Sequence, residues 1–351
     1  MKQFCMVALA AAALATTARA GVITINNATV SPGQYSSIAE GIAAAATGDT
    51  LLVQGSVVNY GSFTLTKRLT LIGPGHNPTD RQNTMPATLD NITISSNSGG
   101  SRLYGFSLAQ VSTNVNSITN VLISNCLIRS RVIFQSSNCN NWRIDGCVFG
   151  GTGSVLDGGG YDVAGLTVSN SVFNGRIFNF PTNNGYHYIQ NCLFLSNTTD
   201  PVFQSANYFY VNNSIFYRAR PVNASGWVSF QRCSSFNTNG GDNSFSANSD
   251  GVARVVYENV NPQFESFPAE GGLFNYAHNY RLKATSPLKN GGIDGTDPGV
   301  YGGSAFSNTI IGYNQNGVPL NPFIAEFNIT GPTEVNAGES LQISIKARVR
   351  N

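Results

Sequence analysis

The chain has 351 residues, a formal net charge of +2, 11% charged residues and 41% hydrophobic ones. So weak a charge excludes a nucleic-acid-binding field and a strongly acidic surface, and the apolar content excludes a disordered chain. The 37 glycines suit many tight turns.

The chain opens with Met1-Lys2-Gln3-Phe4, an apolar run from Cys5 to Ala15, and Ala18-Arg19-Ala20 before Gly21. A basic start, a short apolar core and a small-residue end are the parts of a secretory signal peptide. Residues 1–20 are therefore expected to be cleaved near Ala20/Gly21, which sends the mature chain outside the cell or to the cell surface. The leader is too short to persist as a membrane span, and no later stretch is long and apolar enough to be a transmembrane helix. Of the 6 cysteines, Cys5 leaves with the leader; Cys126, Cys139, Cys147, Cys192 and Cys233 remain. Being odd in number, they cannot all pair within one chain.

Residues 21–48 are expected to form an N-terminal cap. Ser36 or Ser37 caps a short helix with Ile38, Ile42 and Ala45 on one face, and Gly48 ends it. Asp49 turns the chain into a strand at 50–53. A helix so placed covers the open end of a stacked β-structure, whose terminal core and strand edges need protection. Phe63-Thr-Leu-Thr66 and Leu69-Thr-Leu-Ile-Gly-Pro-Gly75 continue as strands of the first coils.

From Ile123 to Phe216 one six-residue phrase returns: Ile123-Ser-Asn-Cys-Leu-Ile128, Ile144-Asp-Gly-Cys-Val-Phe149, Val168-Ser-Asn-Ser-Val-Phe173, Ile189-Gln-Asn-Cys-Leu-Phe194 and Val211-Asn-Asn-Ser-Ile-Phe216. Counted at Cys126, Cys147, Ser171, Cys192 and Ser214, the steps are 21, 24, 21 and 22 residues. Such a period marks a solenoid, and short β-branched phrases bounded by Asn, Gly and Ser mark its unit as strand and turn. The fold class is therefore all-β: a parallel β-helix spanning residues 49–303.

Stacked coils set equivalent residues roughly 4.8 Å apart, so each column must tolerate its own kind. Ile128, Phe149, Phe173, Phe194 and Phe216 are expected to stack inside, together with Ile123, Ile144, Val168, Ile189 and Val211 and with Val121, Trp142, Leu166, His187 and Phe209. The outward column reads Leu122, Arg143, Thr167, Tyr188 and Tyr210. Asn125, Asn170, Asn191 and Asn213, with Gly146 the exception, are expected to bond the turn backbone and their twins in the next coil. The Cys/Ser column is small enough for tight stacking. Its mixture of Ser with Cys, without any C-x-x-C pair, speaks for core thiols and against zinc.

The helix, Gly48-Asp49 and Lys67-Arg-Leu-Thr-Leu-Ile-Gly73 resemble the start of right-handed β-helix proteins of the pectate-lyase-like superfamily. The far end resembles secreted Bacteroidetes-type members of the same group through Asn261-Pro-Gln-Phe264, Asn279-Tyr-Arg-Leu-Lys283, Ser286-Pro-Leu288, Gly291-Gly292 and Asp297-Pro-Gly-Val-Tyr-Gly-Gly303. The resemblance implies a right-handed coil, export, and a terminal run that closes the last coils. It implies no single activity, since lyases, hydrolases and adhesins share the fold.

Hydrolases of that fold use clustered Asp residues, and lyases use Ca²⁺-binding acids with an Arg or Lys base; cleavage of a glycosidic bond by acid and base needs two placed carboxyls. This chain has no Glu between Glu40 and Glu258, and the acids of its central coils are Asp145, Asp157, Asp162 and Asp200. Asp157-Gly-Gly-Gly-Tyr-Asp162 is both a pattern for a Ca²⁺ site and that of a Gly-rich surface turn; no other cofactor is expected. Arg218-Ala-Arg220-Pro resembles the Arg-x-Pro element of pectate lyases, and it is also what exposed arginines look like. His187 falls in an inward column, as a candidate base or a packed imidazole.

Tyr186 and Tyr188 recur 22 residues later as Tyr208 and Tyr210. Parity sends all four outward on adjacent coils, as a platform for sugar rings or for another protein. Residues 304–322 read as a polar linker, and 323–351 as a tail of two alternating strands that either packs on the solenoid or adds to another subunit. The sequence thus points to an exported, non-catalytic β-helix protein for surface adhesion, glycan binding or matrix assembly, with a polysaccharide or a surface protein as partner. A lyase or glycoside hydrolase acting on acidic polysaccharide is the alternative.

Overall fold

The structure, a computed structural model, describes residues 20–28, 33–77, 85–181, 185–222, 227–245, 253–303, 322–329 and 343–349. The expected leader lies outside these residues except for Ala20, and the expected linker except for Pro322.

The short helix is Ile38–Ala44. Ser37 Oγ accepts the Glu40 amide and Glu40 Oε2 accepts the Ser37 amide, a reciprocal cap that satisfies two donors at once. The helix ends at Ala45, not at Gly48, because Asp49 Oδ2 accepts the Ala46 amide and draws the chain out of the helix. Ile38 and Ile42 are buried in the same core as Ile25 and Leu51.

Beyond it the chain is a parallel β-solenoid. One sheet has 11 strands, beginning with Val22–Ile25 and Thr50–Val53 and running coil by coil through Leu122–Ser124, Arg143–Asp145, Thr167–Ser169, His187–Gln190, Phe209–Asn212 and Val228–Gln231 to Ala253–Arg254. The second sheet starts with the short strand Phe63–Leu65, continues with strands of seven residues, such as Ser107–Thr113 and Leu127–Ile133, and then divides. Leu127–Ile133 pairs at one end with Val148–Phe149 and at the other with Ser154–Asp157. The glycines between those two short strands make the corner: a Cβ on Gly151 would stand 2.5 Å from the Ser130 carbonyl.

The phenylalanine ladder forms as the repeat requires. Phe149, Phe173, Phe194 and Phe216 are fully buried, with successive ring centroids 4.3, 4.9 and 4.5 Å apart and planes within 24°. A single left-handed residue links the two sheets in each coil: Asn125, Gly146, Asn170, Asn191 and Asn213 have φ between 45° and 61°. Asn and Gly enter that region at least cost, which is why they hold the column. The small column beside it closes the turn. Ser171 and Ser214 hydroxyls donate to carbonyls two residues back and accept the Cys147 and Cys192 amides, and Cys147, Cys192 and Cys233 turn their thiols to equivalent carbonyls. All five described cysteines are unpaired and buried, and burial holds the Cys147, Cys192 and Cys233 thiols well above the ordinary range.

The asparagine side chains do not bond their twins. Three of the four hold the C-terminal segment, which folds back along the flank of the solenoid, while the Asn125 amide is buried without a partner among the described residues. Asn170 Nδ2 donates to the Val300 and Gly302 carbonyls, Asn191 Nδ2 to the Asp297 carbonyl, and Asn213 Oδ1 accepts the Ile293 amide. An antiparallel pair, Phe264–Ser266 with Asn279–Leu282, lies in the same segment. Phe264, Tyr280, Leu282, Leu288 and Val300 pack on the outward apolar column Val148, Val172, Leu193 and Ile215, a second core outside the coil. The segment reaches as far back as His76, whose Nδ1 lies 2.7 Å from the Tyr276 hydroxyl. Pro322–Ile329 and Ile343–Val349 form an antiparallel pair.

Candidate functional site

Strand register places the four tyrosines. Tyr188 pairs with Thr167 on one side and Tyr210 on the other, and His187 pairs with Phe209, so Tyr186 and Tyr208 stand two residues upstream in one column. The next strand extends both columns: Tyr210 pairs with Ser229, and Trp227 follows Tyr208. All five rings lie on the outer surface of the 11-stranded sheet, with Tyr186 46% and Tyr188 39% exposed and the others half-buried.

The rings brace one another. Tyr188 and Tyr210 are near-parallel at 5.7 Å, Tyr186 meets Tyr208 edge to face at 5.7 Å, and Trp227 meets Tyr210 edge to face at 5.2 Å. Asn207 sets the turn that carries them: its Nδ2 donates to the Phe180 carbonyl of the preceding coil, and its Oδ1 accepts the Trp227 amide of the following one. Tyr208 is itself left-handed, φ 60°. Earlier coils fill its column with Asn120, Asn141 and Gly165, also left-handed and chemically suited to it. Beside the rings runs an amide column, Gln190, Asn212 and Gln231, on paired strands. Among the described residues these three side chains make no hydrogen bond. Braced rings next to unengaged amides offer apolar faces and hydroxyl-binding groups on one rigid sheet.

The other expected site residues lie elsewhere. His187 faces inward, 2% exposed, against Phe180 and Phe209, and burial lowers its pKa to about 4, so the imidazole is neutral and sealed in. Arg218 donates to Asn239 Oδ1 and to the Glu270 carbonyl, tying down the C-terminal segment. Arg220 is 2.7 Å from Asp242. Asp157 is buried: Oδ1 accepts the Gly159 amide and Oδ2 lies 3.7 Å from Arg131, so its carboxylate is committed. The backbone carbonyl of Asp162 accepts the Asn138 amide in the neighbouring turn.

Trp227 and the amide column are absent from the sequence expectation. The sign of Trp227 is a sixth, worn copy of the phrase, Phe230-Gln-Arg-Cys-Ser-Ser235, which sets Trp227 three residues before Phe230 as Tyr208 stands three before Val211.

No protein-family model matches the chain, and no curated protein matches it. Among solved structures, the chain is similar to the crystal structure of the pectin methylesterase from Aspergillus niger in penultimately deglycosylated form, with a TM-score of 0.39 and 14% identity over 66% of this chain and 90% of that one.

Proposed function

We propose that the protein is an exported, non-catalytic solenoid that binds polysaccharide on the face formed by Tyr186, Tyr188, Tyr208, Tyr210 and Trp227. The observation that carries this is Tyr208. An aromatic residue in the left-handed region costs about 1 kcal/mol or more relative to Asn or Gly, and three earlier coils put Asn or Gly there. A tyrosine placed at that cost, in a cluster of partly exposed rings, supports a binding role for the ring. Further support comes from the arginines and the histidine resembling catalytic groups, each of which is bound up in structural contacts.

The test is a glycan array followed by calorimetry on the best polysaccharide. Tyr188→Ala and Tyr210→Ala are expected to weaken binding at least tenfold while the thermal unfolding curve stays in place. Unchanged affinity in both variants rejects the proposal. Cleavage of an acidic polysaccharide that disappears in Arg218→Ala would instead establish the lyase or hydrolase alternative.

A further inference from the structure

The same sheet surface has a second half. Register places Arg68, Gly100, Asn120, Asn141, Gly165, Tyr186, Tyr208 and Trp227 in one outward column, and Thr70, Arg102, Leu122, Arg143, Thr167, Tyr188, Tyr210 and Ser229 in the other. Aromatic residues hold the last three positions of the first column and two of the last three of the second, and three guanidinium groups stand in the N-terminal coils.

These three differ from the rest. Arg129, Arg131, Arg176 and Arg220, on the other faces, each lie within 4.0 Å of an aspartate; Arg218, Arg232 and Arg281 are held by Asn239, Tyr257 and Tyr301. The guanidinium groups of Arg68, Arg102 and Arg143 have no hydrogen-bond or ion-pair partner among the described residues. Asp49, next to the Gly48 that Arg68 lies beside, is committed to the Gly21 and Ala46 amides; Asp145, which feels the Arg143 charge, is buried and turned to Ser169, with Oδ1 2.5 Å from its hydroxyl. On a chain with so few charges, unpaired arginines gathered on one face are a site for anions.

Resting on the glycan reading above, we propose that the ligand is an acidic polysaccharide lying along the solenoid axis, with its sugar rings at the aromatic half and its carboxylate or sulfate groups over Arg102 and Arg143. These two arginines are two coils apart, and Tyr188 is two coils further on, so each step is roughly 9.6 Å, twice the strand spacing. An extended pyranose chain advances by about one strand spacing per ring. An acid on every second sugar therefore meets an arginine at each step, whereas an acid on every sugar leaves half its charges over Leu122 and Thr167. A single-stranded nucleic acid, the other polyanion that pairs aromatic stacking with basic groups, carries a phosphate on every nucleotide and is held through many cationic contacts; three guanidinium groups and a net charge of +2 match it poorly.

The experiment measures affinity and its salt dependence for hyaluronan, which is carboxylated on alternate sugars, with chondroitin sulfate, polygalacturonate, carboxyl-reduced hyaluronan and poly-deoxythymidylate as comparison probes. Hyaluronan is expected to bind at least tenfold more tightly than the reduced polymer, and more tightly than chondroitin sulfate, whose carboxylates and sulfates together put a charge on every sugar. Arg102→Gln and Arg143→Gln are expected to remove most of that advantage and flatten the salt slope, leaving the reduced polymer's affinity unchanged. Equal binding of native and reduced hyaluronan, with both lost in Tyr188→Ala, overturns the anionic inference and keeps the glycan site. Tightest binding to polygalacturonate or to chondroitin sulfate, each charged on every sugar, overturns the alternate-sugar spacing. Tightest binding to poly-deoxythymidylate, or binding to none of the five, overturns both the inference and the glycan reading.

Discussion

Tyr208 stands three coils beyond Asn141 in one outward column and in the same left-handed backbone conformation, φ 60° against 58°. Asparagine belongs there by local energetics; tyrosine does not. Tyr208→Asn should remove about 1 kcal/mol of backbone strain and lose ring contacts to Tyr186 and Trp227 of similar size. The unfolding midpoint is therefore expected to stay within a few degrees of the parent, while glycan affinity falls. A large loss of stability would mean that the ring is a structural wedge and not a binding group.

The ladder is a different case, because its rings are buried and close-packed. Phe173→Ala should cost about 3–5 kcal/mol, the usual loss for removing a core phenyl group. Val57→Ala, at a residue 79% exposed, should cost less than about 0.5 kcal/mol. Chemical unfolding of the two variants side by side checks the contrast, and equal losses would contradict the stacked core.

What the sequence made legible follows from repetition. Phe149 through Phe216, the inward column with His187 and the outward tyrosines recur at one period, and stacking turns a period into a location. The C-terminal segment was not legible in this way, since residues 257–303 pack outside the coil and repeat nothing. A trace of it was present all the same: Val148, Val172, Leu193 and Ile215 form an outward column that is apolar and so must be covered. The repeat reports the asparagine column but not its partners, because the groups these side chains hold come from 80 to 132 residues away. The arginine half of the face was hidden for a similar reason. Whether a guanidinium is paired depends on the side chain one coil on, as Asp200 is to Arg176, and no local pattern reports that.

The asparagine contacts can be tested without disturbing the turn. Asn170→Gly keeps the left-handed backbone, φ 45°, and deletes the two bonds to Val300 and Gly302. At about 1 kcal/mol each, their loss should speed amide hydrogen exchange across residues 293–303 roughly tenfold or more. Exchange in the Thr167–Ser169 strand should hold steady. Faster exchange in both regions would place the asparagine in the solenoid's own stability instead.

Asp145 sets a pH dependence of definite sign. Burial pushes its carboxyl from the ordinary 3.8 up to about 6, against the opposing pull of the Ser169 hydrogen bond and the Arg143 charge, and its Oδ2 has no partner. A carboxyl whose folded pKa lies above its unfolded one stabilises the fold while protonated; that contribution is full below about pH 4 and lost as the pH rises through about 6. The shift of about two units corresponds to roughly 3 kcal/mol at neutral pH. His76 and His187, lowered by burial to about 3 and about 4, act in the opposite direction, with stability lost as the pH falls below 6.5. Asp145→Asn keeps an acceptor for Ser169, cannot ionise, and leaves both histidines in place, so subtracting the two unfolding profiles isolates the carboxyl. The variant should unfold about 5 °C or more above the parent at pH 7, with the gap closing toward pH 4. A gap of the same size at both pH values would show that Asp145 is not a buried charge in the folded chain.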